Sequence, residues 1–483
     1  MAVASDLYFC CNSHILGKET GVVFSSIEFI FRFLVIFFIV YNIAPKSIRN
    51  LVILFASLTF YAFGEPKYVV LMVGSIIVNH LLTLKMVNSD HRKRWAAIAL
   101  IFDISMLGIF KYTNFFVENI NMIAGHEIIK YVHITLPIGI SFYTFQIMSY
   151  VIDAYRGKFE VEKSILPFAT YVSMFPQLIA GPIVNYREVR NELKRRRTTR
   201  KDLEAGAVAF TVGLAYKVIL ANQIGTLWNS VQTVGVYGMS TPMAWIGAWS
   251  YSFQLLFDFA GYSMMAIGLG RMMGFYFPVN FADPYISKSA TEFWRRWHIT
   301  LGRWFRDYVY IPLGGNRKGK KRMIFNLFVV WALTGLWHGA SWNFVLWGIL
   351  FFVILIVEKM FLLQFLEKHV IISRLYMLVL IPVSWMIFAI TDIKQALLYI
   401  ARMFFVPISG MVDIDTKEIL VKYLGQYWWL LLICIICATP LPMAILDKYY
   451  NKYVTKIVLL VLFWISIYLI LVSAENPFLY FRF

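Results

Sequence analysis

Apolar stretches long enough to cross a hydrocarbon core of roughly 30 Å recur from residue 22 to residue 473. No other feature limits the fold so strongly. A chain built this way lies in a bilayer, and irregular backbone at that depth survives only where protein or a water-filled cavity covers it. The stretches fall at about 22–41, 50–63, 67–85, 95–117 and 131–153, then near 165–182, 203–224, 242–270, 323–340, 342–362, 375–391, 426–446 and 454–473. The 165–182 stretch carries Pro167, Pro176, Gly181 and Pro182, poor material for one continuous helix. It reads as a re-entrant segment.

Composition agrees. Hydrophobic residues make up 60% and charged residues 15%, against roughly 45–50% and about 25% in soluble domains. The net charge of +18 does not point to nucleic acid, because the cations cluster in short loops: Lys85 to Arg94, Arg187 to Lys201 and Arg317 to Arg322. Such loops mark cytoplasmic connections. Residues 1–21 read as a polar extracytoplasmic extension, since Asp6, His14, Lys18 and Glu19 interrupt any signal-peptide pattern. The rest, 22–483, reads as one transmembrane domain. The four cysteines form two pairs, Cys10-Cys11 and Cys434/Cys437; the second has CxxC spacing but lies in an apolar stretch without a second ligand pair, and it reads as a buried, inert thiol pair.

Within this apolar background, Trp331-Ala-Leu-Thr-Gly-Leu-Trp-His-Gly-Ala-Ser-Trp-Asn343 holds a lone imidazole, His338. Ionisable groups at membrane depth are costly and mark functional sites. Histidine also suits proton transfer. Forty residues upstream, Trp294-Arg-Arg-Trp-His298 supplies a second one. Around it Phe293, Trp297, Leu301, Trp304, Phe305 and Tyr308 recur at helical spacing. Arg295, Arg296, Arg303 and Arg306 take much of the other side, which describes an amphipathic interfacial helix. The plainer account of His338 is a structural histidine bonded to a backbone carbonyl across a helix interface, and that of His298 is a tryptophan-flanked histidine anchoring the chain at the membrane interface.

Asp258 is the only acid in its long apolar run, and Arg271, His298 or Arg303 could pair with it. Asp153 sits at a helix end beside Arg156. The Gly314–Lys320 loop lacks phosphate-loop spacing. Its Arg317, Lys318 and Lys320 suit attraction of an anionic donor, or lipid headgroups. No GxSxG elbow and no metal-ligand set appears, so neither an acyl-serine nor a metal is expected.

These motifs together resemble the membrane-bound O-acyltransferase (MBOAT) superfamily, in its bacterial alginate O-acetylation branch. Carrying the resemblance are Val23-Phe-Ser-Ser26, Ser149-Tyr-Val-Ile-Asp-Ala-Tyr-Arg-Gly157, Phe175-Pro-Gln-Leu-Ile-Ala-Gly-Pro-Ile183, Phe257-Asp-Phe-Ala-Gly-Tyr-Ser263 and Pro278-Val-Asn-Phe281. Glu292-Phe-Trp-Arg-Arg-Trp-His-Ile-Thr-Leu301, Trp304–Arg317, Leu336–Trp342 and the terminal Asn476–Phe483 region complete it. It implies an all-α polytopic fold of about a dozen transmembrane helices, with re-entrant and interfacial helices around a central tunnel. It further implies that His338 and His298 are catalytic. The acyl thioester (acetyl-CoA or an acylated carrier protein) enters from the cytoplasm, and the acceptor hydroxyl comes from the other side. The thioester is a co-substrate; no bound cofactor is implied. Expected partners are an extracytoplasmic acetyltransferase, polysaccharide export machinery and membrane lipid, with the protein in the bacterial inner membrane.

Acyl transfer to an alcohol needs a base, and neutral imidazole serves. It also needs donors for the oxyanion. Trp337, Trp342, Asn343 and His298 are candidates, with Asp258, Arg303 and Trp297 beside them. O-acetylation of an exported polysaccharide or cell-wall polymer is the leading expectation. D-alanyl transfer to teichoic acid is the near alternative, and a lipid-linked sugar transporter or flippase the distant one.

Overall fold

Backbone polar groups have no water to bond in a bilayer, so a chain this apolar must satisfy them internally. The computed structural model meets this demand with helices throughout its described residues, 24–132, 134–179, 181–406 and 416–473. The N-terminal extension, Cys10-Cys11 and the Asn476–Phe483 motif lie outside these. Among the described residues eight helices are long and apolar enough to span a membrane. The Thr241–Met273 helix adds a further long element that is buried along most of its length.

Several expected spans take a different form. The 95–117 stretch extends into a 33-residue helix, Arg92–Ala124. The expected span 131–153 becomes helical only from Ile140 to Tyr155. Pro137 and Gly139 precede it, and Gly139 adopts φ +76°. A Cβ there would meet the Leu178 carbonyl oxygen at 2.7 Å, so only glycine lets this turn lie against the next segment. That segment is the broken stretch foreseen near 165–182: helix Ile165–Ser173, a short turn Phe175–Leu178, then non-helical backbone.

The expected amphipathic helix is also broken. It consists of Ala290–Arg296 and Ile299–Phe305, followed by a π-helical turn Arg306–Tyr310. The break falls on His298, a non-glycine residue in the left-handed region at φ +44°. Periodicity could not show it, because the apolar positions continue in register across the break.

Asp258 does not pair with Arg271, His298 or Arg303. Its partner is Lys217, 2.5 Å away in the π-helical turn Tyr216–Ala221, and both side chains are buried. Arg271 approaches Asp202 instead (3.5 Å), and Arg303 forms a forked pair with Glu188. Asp153 lies 3.9 Å from Arg156 but is held more closely by Lys158 and by the Tyr308 hydroxyl, each at 2.9 Å.

Removing one member of a buried pair strands the other charge, at a cost of about 3–5 kcal/mol, whereas an apolar replacement of both is often neutral. Lys217→Met is therefore expected to lower the yield of folded protein sharply in detergent. Combining it with Asp258→Leu should restore most of that yield, as read by size-exclusion chromatography and thermal aggregation.

Candidate active site

His338 is the last residue of the Gly319–His338 helix. The last carbonyls of a helix have no partner within it. Here the Arg92–Ala124 helix supplies the partners. Lys111 Nζ donates to the Trp337 carbonyl, and the Tyr112 hydroxyl donates to that of Leu336 at 2.6 Å. A cation at a helix C-terminus is also favoured by the helix dipole. On the opposite side the His338 helix lies tightly against Trp342–Val357. A Cβ on Gly335 would come within 2.5 Å of the Phe344 carbonyl, and one on Gly348 equally near that of Trp331. The His338 imidazole thus sits in an aromatic box, its centroid 5.0 Å from Trp337, 5.1 Å from Trp347 and 5.1 Å from Phe388.

His298 is 2% exposed. Its neighbours are Phe259 at 4.7 Å and Trp337 at 5.9 Å between centroids. Its Nδ1 lies 3.1 Å from Asn280 Oδ1. The backbone bends there because Ile299 N–H donates to the Asn280 carbonyl, while Thr300 N–H and Oγ1 both reach the Asn280 side chain. The two imidazoles therefore flank one indole, that of Trp337.

Each histidine lines its own cavity. A space of about 510 Å³ is bounded by His298, Trp297, Arg295, Arg306, Lys359 and Thr334, among others. A smaller one, about 80 Å³, is bounded by His338, Trp337, Lys111, Ser141, Gly139 and Ile179, among others. Along the His338 helix the larger cavity touches residues 330, 331 and 334, and the smaller touches 337 and 338. The smaller cavity thus lies about one turn farther from the basic loop that starts the helix.

The other expected residues divide. Trp337 and Trp297 line the cavities, as does Arg303, whose guanidinium is held by Glu188. Trp342 is half-exposed and donates its indole N–H to Asn119 Oδ1 at 2.9 Å. Asn343 spends its amide hydrogens on the carbonyls of Ile387 and Phe388. These two therefore fasten helices and line neither of the two cavities. Asp258 belongs to the Lys217 pair, and Arg317, Lys318 and Lys320 are exposed and line neither cavity. The cations at the larger cavity are Arg295, Arg303, Arg306 and Lys359.

Sequence reasoning missed Lys111, Tyr112, Asn280 and Thr300. Lys111 carried a signal: a lysine inside the expected span 95–117 is an intramembrane charge of the same kind as His338. Asn280 stood in the Pro278–Phe281 motif without a stated role.

Fold and site are those of a membrane-embedded enzyme with buried imidazoles between two cavities. The model of the membrane-bound O-acyltransferase family matches residues 96–401, more than half of the chain. A probable alginate O-acetylase AlgI of Pseudomonas putida is 36% identical over 96% of this chain and 100% of its own length. A probable alginate O-acetylase AlgI of Pseudomonas syringae is 43% identical over 70% of this chain and 66% of that relative. A peptidoglycan O-acetyltransferase of Helicobacter pylori is 34% identical over 78% of each. The chain belongs to the membrane-bound O-acyltransferase family. It is a multi-pass membrane enzyme of the O-acyltransferase class, of the bacterial inner membrane.

Lys111→Met would leave the Trp337 carbonyl without its donor, a buried polar loss of about 1–3 kcal/mol. The expected result is a modest fall in thermal stability and a drop in acyl transfer of about tenfold or more. Lys111→Arg, which keeps donor and charge, should retain more activity than Lys111→Met in the same assay.

Proposed function

We propose that this enzyme moves acetyl groups from a cytoplasmic thioester to a hydroxyl of an exported polysaccharide or cell-wall polymer. The observation that carries the reading is the pair of buried histidines, each lining a separate cavity and sharing the Trp337 indole. The larger, cation-lined cavity suits a donor whose carrier portion is anionic, such as acetyl-CoA or an acylated carrier protein. The smaller has room for little more than the reacting group of an acceptor. Relatives named for alginate and peptidoglycan O-acetylation support a polymer hydroxyl as the final acceptor. An extracytoplasmic acetyltransferase that completes delivery, export machinery and surrounding lipid are the partners this reading calls for.

In the proposed step the acceptor oxygen attacks the thioester carbonyl while His338 takes the hydroxyl proton. The tetrahedral intermediate then collapses, the C–S bond breaks, and the departing thiolate takes up the proton held by His338 to leave as a free thiol, which returns the imidazole to its neutral form. A base of this kind contributes on the order of 10²–10⁴-fold. Orientation within the two cavities supplies much of the rest. Arg295, Arg306 and Lys359 would bind the carrier, taking over the donor-attracting role first expected of Arg317, Lys318 and Lys320.

The test compares alkali-released acetate and D-alanine from cell surfaces of wild-type, deletion and His338→Ala strains, with membrane insertion confirmed by immunoblot. Acetate should fall to the deletion level in His338→Ala. Unchanged acetate would refute the proposal. Loss of D-alanine instead would move the enzyme to teichoic-acid modification, and failed polymer export with both esters intact would favour a transporter.

A further inference from the structure

His298 faces an oxygen that cannot donate. Asn280 Oδ1 and Nδ2 look alike in shape, but the Thr300 backbone N–H, 3.2 Å away, is a donor only, so the amide atom facing it is the oxygen. The Thr300 hydroxyl adds a second argument. It accepts the Ile183 N–H at 3.0 Å, so its own hydrogen goes to Asn280 Oδ1 at 2.9 Å. His298 Nδ1 lies 3.1 Å from that same oxygen. Nδ1 must therefore carry the hydrogen, and in the neutral ring Nε2 holds the lone pair. Nε2 is buried and has no hydrogen-bond partner among the described residues. Its residue lines the larger cavity and is held in a left-handed backbone conformation that the Asn280 contacts enforce. Such strain persists only where the surroundings over-determine it.

We propose that Asn280 is a positioning residue that fixes His298 as a hydrogen-bond acceptor at Nε2. This inference rests on the acyl-transfer reading only for the identity of the group accepted, a substrate O–H or S–H at the larger cavity. It removes neutral His298 from the candidate oxyanion donors, because a ring of this tautomer has no Nε2 hydrogen to give. His298 then works on the proton side of the reaction, beside His338. Thr300 completes the support, so the Ile183 backbone reaches the imidazole through three hydrogen bonds in series.

The direct test is nitrogen-15 NMR of histidine-labelled full-length protein in lipid bilayers, with the His298 signals identified by their loss in His298→Gln. The wild type should show the Nδ1–H tautomer at His298. Asn280→Asp, which keeps an acceptor, should preserve it, and Asn280→Leu should abolish the preference. Turnover should fall by up to about 10²-fold in Asn280→Leu with KM unchanged, and recover largely in Asn280→Asp. An Nε2–H tautomer in the wild type would overturn the proposal, as would wild-type turnover in Asn280→Leu. The NMR result does not depend on what is transferred, so it separates this inference from the acetyl-transfer reading, which stands or falls with His338→Ala.

Discussion

A helix that ends among apolar neighbours must have its last carbonyls satisfied by protein groups, and the site depends on how this chain meets that need. The His338 helix stops at the smaller cavity, and Lys111 and Tyr112 of the Arg92–Ala124 helix bond its final turn. Without them these buried carbonyls would lose their protein partners, which is costly for a polar group in an apolar setting. The same helix reaches past His338 to Asn119, which holds Trp342. One long helix therefore grips the chain on both sides of the imidazole.

The second histidine is held by a different device. The segment that bears it is pinned along its whole length by buried polar bonds. Glu358 is fully buried and accepts from the N–H groups of Ala290 and Thr291 and from the Thr291 hydroxyl, at 2.6–2.8 Å. Farther along, Trp304 donates to the Phe145 carbonyl at 2.9 Å, and Tyr308 to Asp153. A short segment fastened this way can keep a strained residue at its break. Both histidines then meet the same indole from elements that are anchored independently, which is the pre-organisation that a reaction between two separately bound substrates requires.

Much of this was legible in the sequence. Apolar length gave the membrane helices, proline and glycine gave the broken stretch at 165–182, and isolation in an apolar run singled out His338 and His298. What stayed hidden shares one physical cause: sequence periodicity reports which face of a helix is apolar, not which distant group completes a buried polar bond. Asp258 shows this well. Its need for a partner was plain, yet the partner, Lys217, stood forty-one residues upstream in another apolar stretch. Trp342 and Asn343 looked like oxyanion donors because of their nearness to His338 in sequence. Their hydrogens are spent on Asn119, Ile387 and Phe388. The break at His298 was invisible for a related reason, since Asn280, which imposes it, is eighteen residues away.

The proposed acyl transfer requires that the two cavities, each lined by one of the histidines, open toward opposite faces of the membrane. Sided cysteine labelling in proteoliposomes tests it most directly. Arg295→Cys would report on the larger cavity and Ser141→Cys on the smaller, in a background whose natural cysteines are replaced. The account predicts that a membrane-impermeant thiol reagent modifies Arg295→Cys from the face bearing the basic loops and Ser141→Cys only from the other. Labelling of both from the same face would contradict it.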